Sequence, residues 1–298
     1  MDAKPTLQDA YELFALDCES RGFTKRTLQF YRDRLGLFLR FLVERNVSTL
    51  DGMTHTVIRA YLANLQKREP ALSSAYIHSH ARAIRAFCNF LVREELLDVS
   101  PFAKVKMPRL EKKVLPALSS EEVHTILRAC EYERDKAIVL FLLDSGVRAA
   151  ELCALNAGDV EDAGAVMVRQ GKGRKDRVTF VGARTRKQLL RYFALERGGK
   201  PKPEEPLFTS QRGGGRLAVA TLRQLTRRLR ATTGVKNCKC HAFRRTMAIQ
   251  SLRNGMNVYV LAKMLGHDGI DVLRHYLDIL QDDVKAAAKS FGVVDNLW

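Results

Sequence analysis

A chain of 298 residues with 46% hydrophobic content and a formal net charge of +17 can bury an ordinary core, and its length suggests two domains. Its composition is not that of a disordered chain, and no run reaches the roughly eighteen apolar residues of a membrane span. Asp2, Asp9, Glu12 and Asp17 at the start are unlike a secretory signal. Cys18, Cys88, Cys130, Cys153, Cys238 and Cys240 are mostly scattered through apolar stretches, as reduced thiols are. A cytoplasmic protein without membrane association is expected. The sequence pI of about 9.8 makes a nucleic acid the leading electrostatic partner, although ribosomal, heparin-binding and membrane-surface proteins are basic too. Through residue 107 there are 16 Lys and Arg against 12 Asp and Glu; beyond it, 34 against 21. Most of the excess therefore lies in the second part of the chain.

In chain order, the apolar stripes Leu7, Tyr11, Leu13, Phe14, Leu16 and then Leu28, Tyr31, Leu35, Phe38, Phe41, Leu42 fit a 3.6-residue period. Thr24, Thr54 and Ser73 are placed to accept from the open N–H groups of the second, third and fourth helices. The spacing predicts a four-helix N-terminal domain. Its fourth segment, 73–97, buries Ile77, Ile84, Phe87, Phe90 and Leu91 and leaves Arg82 and Arg85 as either a solvated basic face or DNA contacts.

From Ser100-Pro101 to Ser119 the apolar period stops, and Lys104, Lys106, Arg109, Lys112 and Lys113 alternate with Pro101, Pro108 and Pro116. Proline fixes its own φ and moves its predecessor out of the helical region, so this stretch reads as a basic, extended linker. The expected division is a helical domain 1–107, a linker 108–118 and a second domain 119–298. The second domain opens on a capping box, Ser119 or Ser120 with Glu122 or nearby, and continues with a helix at about 134–143.

A strand pair, 165–169 and 177–181, flanks Gln170-Gly171-Lys172-Gly173-Arg174-Lys175-Asp176. Glycines at 171 and 173 keep the backbone slim, so Lys172 can project from a basic hairpin tip beside Arg174 and Lys175. The phosphate-loop spacing is absent and no helix follows, which argues against a nucleotide site. The fold class is thus mainly α with a small β-hairpin.

His241 and Arg244 stand three apart and share one face of a helix starting near His241, with Lys239 and Arg245 adding charge. A second helix, at about 257–265, ends at Gly266 and delivers His267 at a sharp turn; Tyr276 follows nine residues later. Alone, each has a bland reading: an exposed basic helix end, a local hydrogen-bonding histidine, a packing tyrosine. Together with Arg148 in Gly146-Val147-Arg148-Ala149-Ala150-Glu151-Leu152 they make a phosphate pocket with a nucleophile, because arginine forks bind phosphate bidentately and a phenol can attack phosphorus. Cys238-Lys239-Cys240-His241 lacks the second ligand pair of a zinc finger, so no metal site is expected.

The order Arg148, Lys172, His241-x-x-Arg244, Leu265-Gly266-His267 and Tyr276 resembles the tyrosine recombinase family of Xer proteins and phage-type integrases, over nearly the whole chain. Arg245 and Phe243 depart from residues frequent there, histidine and leucine, without removing a catalytic group. The resemblance implies a helical core-binding DNA clamp followed by a mixed α/β catalytic domain, acting without cofactor. It implies that Tyr276 attacks the scissile phosphate to give a 3′-phosphotyrosyl bond, Arg148 and Arg244 neutralise the nonbridging oxygens, Lys172 protonates the leaving 5′-oxygen, His241 takes the tyrosyl proton and His267 holds the phosphate. Glu151 would anchor the arginine turn. Implied partners are double-stranded DNA bearing specific recombination sites, a homotetramer on two duplexes with an apolar tail, 286–298, exchanged between protomers, and an accessory or paralogous recombinase. A type IB topoisomerase, or a non-catalytic DNA-binding accessory protein, is the alternative.

Overall fold

The structure, a computed structural model, describes residues 5–111, 116–169, 176–211 and 214–266. The chain divides into two compact units, residues 1–113 and 114–298. In the first, four helices follow one another: α1 Leu7–Ser20, α2 Lys25–Val43, α3 His55–Gln66 and α4 Ser74–Arg93. Each begins at a side-chain cap. Thr6 forms a capping box with Asp9, while Thr24, Thr54 and Ser73 accept from Thr27, Val57 and Tyr76, so a donor of each first turn is satisfied locally. The apolar faces meet in one core that includes Phe14, Phe38, Phe41, Tyr61, Phe87 and Phe90. Phe14 packs edge-on against Phe87 and Phe90 at ring separations of 5.5 and 5.3 Å, the arrangement aromatic quadrupoles favour. Phe102 and Val105 belong to the same core, so the first residues after Pro101 pack into this unit despite their lost period.

The second unit contains α5 Ser120–Arg128, α6 Glu133–Ser145, the short α7 Ala149–Ala154, strands β1 Ala165–Val168 and β2 Arg177–Phe180, then α8 Ala183–Glu196, α9 Val219–Thr233, α10 Cys240–Arg253 and α11 Val258–Leu265. The strands pair antiparallel, Val168 opposite Arg177 and Ala165 opposite Phe180. The capping box is Ser119 with Glu122. Leu118 is buried and donates its N–H to Thr246 Oγ1 at 2.8 Å, which fixes the entry of the chain onto α10. The core runs from Ile126 and Phe141 through Tyr192 and Phe208 to Phe243, and Met247, Ile249, Leu261 and Leu265 form a smaller cluster where α10 meets α11. Cys238 joins the main core and Cys240 packs against it, so both thiols face apolar neighbours.

Beneath α6 lies a buried charge cluster that apolar patterning does not reveal. Asp135 is fully buried; its Oδ1 accepts from Arg134 Nε at 3.0 Å and Nη2 at 2.6 Å, and its Oδ2 from Arg228 of α9. Arg134 also donates to Thr209 O, tying α6, α9 and the 206–209 segment together. Removing one partner of such a cluster leaves buried charge uncompensated, at a cost of about 3–5 kcal/mol. Asp135→Ala should lower unfolding free energy in urea by that amount; a loss under about 1 kcal/mol, the scale of an exposed pair, would show the cluster to be solvated.

Candidate active site

Gly146 ends α6 in the left-handed region, at φ 62°, and the chain turns there to make Arg148 the first residue before α7. The left-handed φ favours glycine, and a Cβ at 146 would in addition press on two side-chain ends, Leu265 Cδ2 at 2.9 Å and Met247 Sδ at 3.1 Å. In the first turn of α7, Glu151 receives the Arg148 backbone N–H at 2.7 Å and its Nη1 at 2.8 Å, which sets the direction of that side chain. The Arg148 side chain stays 28% exposed. The anchoring role expected of Glu151 is what the geometry displays, and it is shared with a residue that sequence reasoning missed. Arg177, the first residue of β2, donates Nη1 to Glu151 Oε1 at 2.9 Å and Nη2 to Oε2 at 2.7 Å. Strand alternation gave no signal for it: Val178 and Phe180 are the apolar pair of β2, but they face outward, and 177 shares its face with the fully buried Thr179, where a guanidinium requires a partner.

Arg244 lies on α10 and is 3% exposed. Its Nη1 donates to Gly146 O and its Nη2 to Leu265 O at 2.6 Å, the carbonyl ends of α6 and α11. Helix C-termini carry partial negative charge, so this guanidinium is held where two of them converge. α11 closes on Gly266 in the left-handed region at φ 68°, as expected from its sequence. His241 sits one turn before Arg244, at the second residue of α10, and reaches solvent. Desolvation, then the charges of Arg245, Arg244 and Arg148, hold its imidazole below the ordinary 6.5. The neutral ring is therefore the form present at neutral pH, as a proton acceptor must be.

Arg148, His241 and Arg244 are thus brought into one electrostatic neighbourhood. Lys172, Arg174, Lys175, His267 and Tyr276, and the tail 286–298, lie outside the described residues. Arg82 and Arg85 are exposed on α4, Lys104 and Lys106 are exposed after it, and Lys239 is exposed at the start of α10. Arg245 corrects its expected place on a DNA surface: it is 6% exposed and donates Nε to Pro116 O at 3.1 Å. It faces inward because residues 242–249 of α10 are all buried, so adjacency to Arg244 confers no surface position. A basic surface that was missed is on α9, where Arg223, Arg227 and Arg230 are exposed at i, i+4 and i+7, one stripe of the helix.

Two measurements follow from these charges. Burial pushes the Glu151 carboxyl up, but Arg177 and the Arg148 backbone and side chain outweigh it and hold it at about 2 against the ordinary 4.5. A depressed carboxyl stabilises the fold above its unfolded value, so on the order of 3 kcal/mol is lost as pH falls from 4.5 towards 2. Urea titrations of the natural chain and Glu151→Gln should converge across that window; parallel curves refute the assignment. For His241, NMR titration should give a midpoint below 6.5 that rises in Arg148→Ala, and a midpoint at or above 6.5 would remove the neutral-ring argument.

Residues 116–282 match the phage integrase family, and residues 18–95 match the phage integrase N-terminal SAM-like domain. The chain is 30% identical over 277 residues to the tyrosine recombinase XerC of Myxococcus xanthus, covering 90% of this chain and 91% of that relative. It is 28% identical over 280 residues to the tyrosine recombinase XerD of Oceanobacillus iheyensis, covering 91% and 93%. In fold it is similar to lambda integrase in the crystal structure of a tetramer bound to a Holliday junction, with a TM-score of 0.77 at 18% identity over 92% of this chain and 78% of that one. With both of its units matched in order, this chain belongs to the phage integrase family and is a Xer-like tyrosine recombinase.

Proposed function

We propose that the protein is a site-specific DNA recombinase that cuts and rejoins DNA through a 3′-phosphotyrosyl intermediate, with Arg148, Lys172, His241, Arg244, His267 and Tyr276 as its catalytic residues. The observation that carries this reading is the convergence of Arg148, Arg244 and a neutral His241 on one site, from separate stretches of sequence. Attack of the Tyr276 oxygen forms the P–O bond to tyrosine and breaks the bond to the 5′-oxygen. His241 accepts the phenolic proton, needed because a phenol near pKa 10 is mostly protonated at neutral pH, and Lys172 donates one to the leaving oxygen. Arg148 and Arg244 neutralise the charge developing on the nonbridging oxygens, and His267 adds a hydrogen bond. The phosphotyrosyl bond stores the energy that the 5′-hydroxyl of the partner strand later uses. Topoisomerase-like relaxation and a non-catalytic accessory role draw less support, since the named relatives matched over nine-tenths of the chain are recombinases.

In this reading residues 1–107 clamp the duplex with Arg82, Arg85, Lys104 and Lys106, residues 108–118 link the halves, and residues 119–298 hold the chemistry. Lys239, Arg174, Lys175 and the α9 stripe of Arg223, Arg227 and Arg230 contact phosphates. The working unit is a homotetramer on two duplexes in the cytoplasm, the tail passing between protomers. Support for the assembly comes from the fold shared with lambda integrase, itself solved as a tetramer on a Holliday junction.

A nicked suicide duplex, from which the 5′ end diffuses away, tests the chemistry. The natural chain should accumulate a covalent adduct and Tyr276→Phe none, while Arg148→Ala or Arg244→Ala slows adduct formation by about 10²–10³-fold, the scale of one lost oxyanion donor. An adduct with Tyr276→Phe would transfer the nucleophile elsewhere. Changing Arg223, Arg227 and Arg230 to Gln should flatten the dependence of log affinity on log salt by about 0.9 for each phosphate no longer neutralised; an unchanged slope takes α9 off the DNA.

A further inference from the structure

Arg177 makes more bonds than an anchoring strand residue requires. Its side chain is 7% exposed and its guanidinium spans both oxygens of Glu151, while Nε donates to Met264 O at 2.9 Å in the last turn of α11. The contact continues at Gly266, where an added Cβ would stand 2.8 Å from Arg177 Cδ, so the end of α11 rests against this side chain. Each partner is close in sequence to a residue of the proposed pocket: Glu151 three after Arg148, Met264 three before His267, and Arg177 itself five after Lys172. The same strand is pinned once more by Thr179 Oγ1, which donates to Ser145 O at 2.7 Å at the end of α6.

A buried ion pair is a poor source of net stability, because desolvation consumes most of the attraction and apolar side chains of equal volume often serve as well or better. What it supplies is direction. A planar fork with three donors engaged fixes the orientation and distance of β2 against two other segments, which a lysine with one compact charge cannot reproduce. We infer that Arg177 is a positioning residue for strand cleavage, locking the first residue of β2, five residues after Lys172 in the chain, to the Arg148 turn and the end of α11. The inference rests on the reading of Lys172 as the acid for the leaving oxygen. Arg177 does not touch DNA in this scheme; it acts through the segment it holds.

The chemistry of the leaving group separates positioning from folding. Single-turnover adduct formation is measured on two suicide duplexes, one with the ordinary 5′-bridging oxygen at the scissile phosphate and one with sulfur there. A thiolate, whose thiol has a pKa near 8.5, departs without a proton; an alkoxide does not. Lys172→Ala should be slow on oxygen and recover on sulfur. Arg177→Lys and Arg177→Gln should bind DNA with unchanged Kd, cleave the oxygen substrate about 10²-fold more slowly, as a misplacement of about 1 Å costs, and regain most of that loss on sulfur. The ratio of the two rates within one preparation does not depend on the folded fraction, so a partly unstable variant still answers. Equal losses on both substrates, or no loss on oxygen, overturn the role of Arg177. A Lys172→Ala chain equally slow on both removes the acid assignment and this inference with it, a pattern distinct from failure at Arg177 alone.

Discussion

Glu151 accepts two hydrogen bonds from Arg148 and two from Arg177, and the rest of the site is arranged around that carboxylate. From Arg177 the linkage passes to Met264 O, next along the chain to Leu265 O, which receives Arg244; Arg244 returns to Gly146 O, two residues before Arg148. The bonds close a ring through α7, β2, α11, α10 and α6. A ring restrains each member from two sides, so no arginine can turn away without breaking a charge-assisted bond somewhere else, and such bonds are about twice as strong as neutral ones. The three arginines would repel one another if they shared no counter-charge. Glu151 supplies one full negative charge to this ring, and the two helix ends supply fractions of one.

That balance leaves the neighbourhood short of negative charge, and His241 reports the deficit. Its imidazole resists protonation partly because Arg245, Arg244 and Arg148 stand near it. The field that keeps this ring neutral is the one a scissile phosphate would meet, so a ready proton acceptor and a site for anionic oxygens are two consequences of one arrangement.

The elements that sequence patterning disclosed are those fixed by local physics. Thr24, Thr54, Ser73 and Ser119 cap their helices because each needs only its own first turn, and Gly266 ends α11 because only that backbone conformation is asked of it. Of the site, His241 and Arg244 were legible from spacing along one helix, and Glu151 from its distance to Arg148. Arg177, the Asp135 cluster and the inward turn of Arg245 were not read, since each depends on a partner far along the chain: Arg177 lies 26 residues from Glu151, Arg228 93 from Asp135 and Arg245 129 from Pro116. Charge invites a surface reading by default, and here buried arginines defeat it. For Arg177 strand parity points the wrong way, since Val178 and Phe180 are the apolar pair of β2 and yet face outward while Thr179 is buried; for Arg245 the uninterrupted burial of 242–249 has no counterpart in the local pattern, because α10 is polar and apolar without a clean stripe.

In the proposed scheme the burial of Arg244 would also suit it to phosphate. A surface guanidinium is flexible and fully hydrated, and binding phosphate must remove that water and freeze its rotamers. Arg244, held between the carbonyls of Gly146 and Leu265, has already lost both. Those costs were met when the chain folded, partly by placing two glycine-ended helices so that their carbonyls fall at one point. One close approach of α6, α10 and α11, at a turn whose left-handed φ favours glycine, thus fixes the arginine beneath it.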